Sequence, residues 1–361
     1  MIDPSNKIKL LIVVPTLECG GLERNVTIIC NNIDTSKYDV TLAVLNNANQ
    51  FFKITNPAVN VIDLKINNVR MSLFAILKLS KKIRPAIILT TANHLNLFLA
   101  IFKWMFPRHV KIVARESSIV SVNTQRTWNP KLYHWLLRVF YKKTDLIVCQ
   151  SEYMRNDLLK NYNVPEKRMQ IIYNSVTSPE IVSDEGIKVP YAKLITVARL
   201  STEKGLCRLI KAVSLLKIPY RFTIIGEGNM RSVLQDLITK LSLEKNVFLT
   251  GSCVQPFTKV PDPDLFLMGS YYEGFPNAML EAIAAGIPTV AFNAPGGIAE
   301  LLVNNENGIL VEESDESEFA AAIEKALNYP FDKKKIQEST LQRFNVNAVM
   351  EQWYRIFDSL K

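Results

Sequence analysis

No apolar run of about 18 residues free of charge occurs in the 361-residue chain, so nothing in it reads as a membrane-spanning helix. The start, residues 1–16, carries an apolar run but lacks a small-residue cleavage site, and no secretory leader is expected. Cysteine is sparse: Cys19, Cys30, Cys149, Cys207 and Cys253 are scattered and include no C-x-x-C pair. That spacing excludes a zinc knuckle and a disulfide framework, and it fits reduced thiols in a cytoplasmic protein. There is no P-loop and no Ser/His/Asp or Cys/His arrangement for nucleophilic catalysis. The acidic Asp262-Pro263-Asp264 has no further acid or histidine beside it as a ligand set. Asp264 reads more simply as the opening of a strand, so no metal is expected.

What is present is an ordinary globular composition, 48% hydrophobic, in a chain too long for one core. Two domains are expected. A net charge of +9 favours anionic partners: nucleotides, nucleic acid or an acidic membrane face. The basic residues form no aromatic-interleaved strand motif, so nucleic acid is not expected.

Apolar runs recur at 8–14, 39–45, 59–63, 86–90, 110–114 and 145–149, with helix-like segments between most of them. This alternation predicts a doubly wound α/β domain, whose ligands bind beyond the carboxyl ends of the strands. Gly20 and Gly21 fall at such an end and precede a helix over 22–33. The geometry suits a phosphate, but the Gly-rich pattern is not a full dinucleotide fingerprint. Asn93-His94 and Arg115-Glu116-Ser117 occupy similar positions; loop capping is the plainer role, above all for His94.

Residues 97–111 and 126–143 are basic and aromatic. In the second, Leu132, Trp135, Leu136, Val139 and Phe140 recur at helical spacing among Arg126, Lys131, Arg138, Lys142 and Lys143. Such a helix either packs on a sheet by its apolar stripe or lies on an anionic membrane, and amphipathicity alone does not separate the two. The polar stretch 177–191 reads as an interdomain linker.

A second alternation follows. The strand at 193–198 ends in Arg199, with Lys204 and Gly205 five and six residues on. The strand at 220–225 ends in Gly226-Glu227-Gly228. The strand-like Asp264–Met268 runs into GSYYEGFPNAMLE, 269–281. There Gly274 lets backbone approach a ligand, and Pro276 suits the first turn of the helix expected over 278–285. The N–H groups of such a helix start attract anions. Glu273 sits at the mouth of the turn, and Glu281 lies on the helix. An anion site flanked by two carboxylates suits a ligand with both phosphate and hydroxyls. Surface ion pairing and capping are the plainer roles for the same residues.

Taken in order, Gly20-Gly21, Arg199-x4-Lys204, Gly226-x-Gly228, Glu273-x7-Glu281 and Gly296–Glu300 resemble the retaining glycosyltransferases of family 4 (group 1) with the GT-B fold. The resemblance spans nearly the whole chain and is strongest in the C-terminal half. It implies two Rossmann-like domains facing each other across a cleft. Residues 1–176 would form the acceptor-side domain, with the helix at 346–361 packing back on it, and 192–345 the nucleotide-sugar domain. Arg199 and Lys204 would hold the donor diphosphate, and Glu273 would contact the donor sugar. Backbone of Gly274, Phe275, Pro276 and Asn277 would meet sugar or phosphate, Glu281 the ribose, and Gly20, Gly21 and Gly226 would border the donor.

Two departures stand out. Relatives commonly carry a histidine near the reacting sugar where Glu116 stands here, so Glu116 is the candidate in its place. The prolines of 255–264 disfavour the short helix usual before the strand at 264. The implied reaction is retaining, metal-independent transfer of a hexosyl group from a nucleoside diphosphate sugar, with UDP favoured. The implied acceptor is a lipid-linked saccharide in bacterial surface polysaccharide synthesis. The enzyme would then be cytoplasmic or peripheral on the inner membrane face. A nucleotide-sugar epimerase and a non-catalytic nucleotide-sugar-binding partner remain open alternatives at this point.

Overall fold

A computed structural model describes residues 7–67, 69–182, 189–312 and 315–361, with the side chains of 69 and 70 excepted. The chain divides into two compact units, one of residues 1–175 with 346–361 and one of 176–345. Each is built on a parallel sheet.

The first unit runs β1 (Ile8–Val14), α1 (Gly21–Asn32), β2 (Tyr38–Val44), β3 (Asn60–Asp63), α2 (Val69–Ile83), β4 (Ile87–Thr90) and α3 (Asn93–Ile101). It continues through β5 (Lys111–Arg115), α4 (Val120–Gln125), α5 (Pro130–Phe140), β6 (Leu146–Cys149), α6 (Glu152–Tyr162) and β7 (Met169–Ile171). The strand order is β3-β2-β1-β4-β5-β6-β7. Strands β1, β4 and β6 are apolar at nearly every position because helices cover both faces, so an alternating pattern has no polar face to record. On one face Leu11, Val13, Ile88 and Ile112 meet Leu73, Ile76 and Leu77 of α2 and Leu95 and Leu99 of α3.

The second unit runs β8 (Ala192–Val197), α7 (Leu206–Ser214), β9 (Tyr220–Ile225), α8 (Arg231–Lys240), β10 (Val247–Leu249), β11 (Leu265–Met268) and α9 (Asn277–Ala284). Then come β12 (Thr289–Phe292), α10 (Ile298–Leu301), β13 (Gly308–Val311), α11 (Glu316–Leu327) and α12 (Lys333–Phe344). Its order, β10-β9-β8-β11-β12-β13, reverses between β8 and β11. Asp264 ties that junction: its backbone N–H donates to the Lys193 carbonyl at 2.9 Å, and its carboxylate accepts from the Lys193 backbone N–H at 2.7 Å. Asp262 is paired with Lys333 at 2.8 Å. Among the described residues no group of three or more acids, histidines or cysteines gathers to hold a metal.

Of the expected linker, residues 183–188 lie outside the described residues. The part before them is tied to the second unit: Gln255 donates to the Glu180 carboxylate at 2.7 Å, and the Asp262 N–H to the Val182 carbonyl at 3.1 Å. The proline-rich stretch at 255–264 forms only a single 3₁₀ turn, Pro256–Thr258.

The last helix, α13 (Val346–Ser359), completes the first unit. Val349, Met350, Trp353, Ile356 and Phe357 recur at helical spacing and enter the core beside Leu10, Ile12 and Val14. Tyr38 stacks on Tyr354 with centroids 5.5 Å apart, and its hydroxyl donates to Asp358 at 3.2 Å. The Asp34 N–H donates to the Tyr354 hydroxyl at 2.9 Å. Trp353 is enclosed, so Trp353→Ala should destabilise this unit by about 3–5 kcal/mol, the usual cost of emptying such a site. A urea titration followed by circular dichroism should show the first transition at lower denaturant; an unchanged curve would mean that α13 is not part of the core.

Candidate functional site

Where strand order reverses, the loops after two neighbouring strands leave in opposite directions and open a crevice at the carboxyl end of the sheet. In the second unit those strands are β8 and β11. The loop after β8 runs from Ala198 through a 3₁₀ turn at Thr202–Lys204 to Gly205, which caps α7. The loop after β11 runs from Gly269 to Pro276, which caps α9. The two loops meet through charge. Lys204 Nζ lies 2.7 Å from Glu273 Oε1, and Ser270 Oγ donates to the same oxygen at 2.7 Å. The Tyr271 N–H donates to the Glu203 carbonyl at 2.9 Å, adding a backbone link.

Glu273 is only 8% exposed. A carboxylate so little hydrated needs both its cation and its hydroxyl donor, because desolvation otherwise outweighs the attraction. Its backbone is held as firmly: the N–H donates to Pro295 O at 2.9 Å, and the carbonyl accepts from the Gly297 N–H at 3.3 Å. Gly296 makes this fit possible. It adopts φ +123°, and a Cβ there would lie 1.5 Å from the Glu273 carbonyl oxygen. Gly205 does the same across the crevice, at φ +58° with a Cβ position 1.8 Å from the Gly269 oxygen.

Arg199 is exposed on the loop after β8, five positions before Lys204. The loop after β9 lies alongside: the Leu200 N–H donates to Glu227 O at 2.9 Å, and the Gly226 N–H donates to Gly251 O at 2.9 Å. Gly274, Phe275 and Pro276 are buried. The Phe275 ring packs on Phe344 with centroids 6.1 Å apart. Pro276 is the cap and not the first residue of α9, which begins one residue earlier than expected, at Asn277, and carries no side-chain cap. Glu281 lies within α9, buried to 7% exposure. Arg199, Lys204, Gly226, Gly274, Phe275, Pro276, Asn277, Glu273 and Glu281 therefore all belong to one unit.

The other three expected residues, Gly20, Gly21 and Glu116, belong to the first unit. Gly20 caps α1 without a side-chain hydrogen bond, and Gly21 opens that helix at the carboxyl end of β1, beside the β1/β4 reversal. Glu116 has no exposed surface. Its Oε1 accepts from Tyr141 Oη at 2.6 Å and from Asn96 Nδ2 at 2.6 Å, and its Oε2 accepts from Asn93 Nδ2 at 3.2 Å. Burial pushes its pKa up, against the opposing pull of those three donors. In this conformation it anchors the ends of α3 and α5 and does not present an oxygen to a ligand. Next to it Arg115, also buried, donates to Asn174 Oδ1 at 2.6 Å; burial brings its pKa down to about 10.

Arg208 belongs to none of the motifs that mark the site in the sequence. It stands within the apolar stripe of α7, beside Leu206, Leu209 and Ile210, and is buried. Its Nε donates to Gly269 O at 2.6 Å, and its Nη2 donates to Ser270 O. Its guanidinium lies 3.9 Å from the Phe292 ring centroid and 4.1 Å from that of Tyr271. The available signal was a lone arginine at a core position, which demands buried acceptors.

The comparisons with known proteins divide as the units do. Residues 177–343 match the family model described as Glycosyl transferases group 1, and residues 19–178 match Glycosyltransferase Family 4. A relative from Campylobacter jejuni is 29% identical over 86% of this chain and 87% of its own. It is named N-acetylgalactosamine-N,N'-diacetylbacillosaminyl-diphospho-undecaprenol 4-alpha-N-acetylgalactosaminyltransferase. Among solved structures, Anabaena HepE in complex with UDP-glucose has a TM-score of 0.77 at 20% identity, covering 98% of this chain and 100% of that one. The lipopolysaccharide outer core galactosyltransferase WaaB has a TM-score of 0.77 at 17% identity, covering 98% and 99%. These two likenesses show the fold, which is GT-B.

Arg208→Lys keeps the charge but loses the fork and the ring sandwich. It should lower stability by about 2–3 kcal/mol by leaving the Gly269 and Ser270 carbonyls short of donors. Thermal unfolding should show the loss; a variant as stable as the wild type would mean these carbonyls do not depend on the guanidinium.

Proposed function

Because the chain belongs to the group 1 glycosyl transferases of the GT-B fold, we propose that it moves a hexosyl group from a UDP-sugar, with retention, to a lipid-linked saccharide in bacterial surface polysaccharide synthesis. The observation that carries this reading is the Lys204–Glu273 pair at the β8/β11 reversal. It sets a cation and a carboxylate side by side where α/β sheets bind ligands. Lys204 and the exposed Arg199 meet the diphosphate and gain most as it departs with the extra charge of cleavage. Glu273, already fixed by Ser270, accepts from sugar hydroxyls. The start of α9 adds backbone N–H groups and a helix dipole toward an anion. Glu281 serves the ribose.

Retention by double displacement needs two carboxylates flanking the scissile bond. Glu116 is enclosed, so no such pair is assigned here. Front-face transfer then fits the residues better: the leaving phosphate takes the acceptor proton, and the protein positions the reactants and stabilises charge. With two cations at the diphosphate the reaction needs no metal in this reading. The C. jejuni relative is named for an undecaprenol-linked acceptor, which supports a lipid-linked acceptor and a place at the inner membrane face.

Incubation with a panel of UDP-sugars should raise the melting temperature, since a ligand at about 100 times its Kd adds about 2.7 kcal/mol. Lys204→Ala and Arg199→Ala should each cut transfer by about two orders of magnitude or more, equivalent to about 2.7–4 kcal/mol of lost transition-state stabilisation. Proton NMR of the product should show the donor's anomeric configuration. Stabilisation by other nucleotide sugars alone would reject UDP, an inverted product would reject retention, and full activity in both variants would reject the diphosphate role.

A further inference from the structure

The positive charge of this protein is not spread along it. Between Asp63 and Asp145, residues 64–144 hold 15 Lys and Arg and a single acid, Glu116, for a net +14. Since the whole chain is +9, the remaining residues carry 9 − 14 = −5. Glu116 is enclosed, and Asp145 at the edge of the segment is paired with Lys103 at 2.7 Å. The surface of this segment is thus cationic with nothing acidic of its own to offset it.

The same segment exposes its largest apolar side chains. Of four tryptophans in the chain, Trp353 is in the core, whereas Trp128 is 87%, Trp104 79% and Trp135 55% exposed. Tryptophan is ordinarily well buried on average, so three exposed in one segment call for a cause. Helix α5 supplies the frame. Asn129 caps it, Pro130 opens it, and only Leu137 is fully buried. Its stripe of Leu132, Trp135, Leu136, Val139 and Phe140 is therefore not consumed by packing on the sheet, and Leu132 and Trp135 face solvent. Trp135 meets Phe140 edge-on, and Lys143 Nζ lies 4.4 Å from the Phe140 ring centroid. Lys103, next to Trp104, donates to the Lys143 carbonyl at 2.8 Å, which brings that indole's turn to the C-terminal end of α5.

We propose that this face of the first unit, Trp104, Trp128, Leu132 and Trp135 with Lys131 and Arg138, is the surface by which the protein docks on an anionic lipid bilayer. A polyanion alone would match the charge and leave the indoles and Leu132 in water. A bilayer surface takes both: indoles settle at the headgroup level, where their apolar body and polar N–H are each satisfied. The lysine and arginine stems lie along the apolar ring while their charges reach the lipid phosphates. The helix lies in the interface and does not cross it; among the described residues no helix is long and apolar enough to cross a membrane. The inference deepens the acceptor reading and rests on it for purpose, since a lipid-linked acceptor has to be met at the bilayer.

The test is flotation of the full chain, without donor or acceptor, with vesicles of phosphatidylcholine alone or mixed with phosphatidylglycerol. Lipid binding and sugar transfer are then read separately. The protein should float with the anionic vesicles only. Binding should weaken strongly at about 1 M salt, where the screening length falls to about 3 Å. Tryptophan emission should shift to the blue on binding. A Trp128→Ala, Trp135→Ala double variant and a Lys131→Glu, Arg138→Glu double variant should each bind at least about tenfold more weakly with unchanged melting temperature, because these side chains are exposed. Lys204→Ala should float as the wild type does. Absence of wild-type flotation with anionic vesicles, or equal flotation of both double variants, would overturn the proposal. Sedimentation showing that the exposed tryptophans hold two copies together would also overturn it.

Discussion

The second unit is organised by a topological constraint that becomes an electrostatic one. Reversal of strand order between β8 and β11 leaves two loops with no strand to cover them, and Lys204 and Glu273 close that gap at 2.7 Å. A carboxylate that is 8% exposed is costly to desolvate and is tolerated only when its partners are already in place. The neighbouring residues supply that certainty. Ser270 gives a second donor, Gly296 allows the main chain of 295–297 to press on Glu273, and Gly205 lets the two loops touch. Arg208 holds the start of the second loop from inside α7. The result is a pair of opposite charges held in place at the carboxyl edge of a sheet.

The first unit obeys the same topological rule but spends its polar residues differently. Its order also reverses, between β1 and β4, and α1 begins there at Gly20 and Gly21. The acid at the end of β5 is turned inward. Glu116 collects donors from Asn93 and Asn96 of α3 and from Tyr141, while the Gln150 side chain donates to its carbonyl at 2.8 Å. This network welds α3 to the segment that carries α5. The helix so held is basic and aromatic, and packing leaves much of its apolar stripe uncovered. A buried carboxylate thus fixes a surface whose exposed charges are all of the opposite sign. On the other face of the sheet the core is closed by α13, the last element of the chain, so the unit's two ends of sequence share one hydrophobic interior.

Much of this was legible in the residues. Continuous apolar runs predicted β1 to within its exact bounds at 8–14 and most other strands to within a residue or two, because strands buried on both faces have no polar phase to blur them. The glycines and charges at strand ends marked Lys204 and Glu273 because α/β sheets bind ligands there. The sequence by itself determined the alternation of strand and helix, the two-unit division and the segregation of positive charge, since these depend on local pattern and count. Only the tertiary structure decided which charges meet and which are hidden. Lys204 and Glu273 are 69 positions apart, and Glu116 and Tyr141 are 25 apart. Whether a carboxylate faces a ligand or three donors depends on neighbours that are remote in sequence. Arg208 shows the same limit: an arginine among leucines reads as an exception until folding brings two carbonyls and two rings around it.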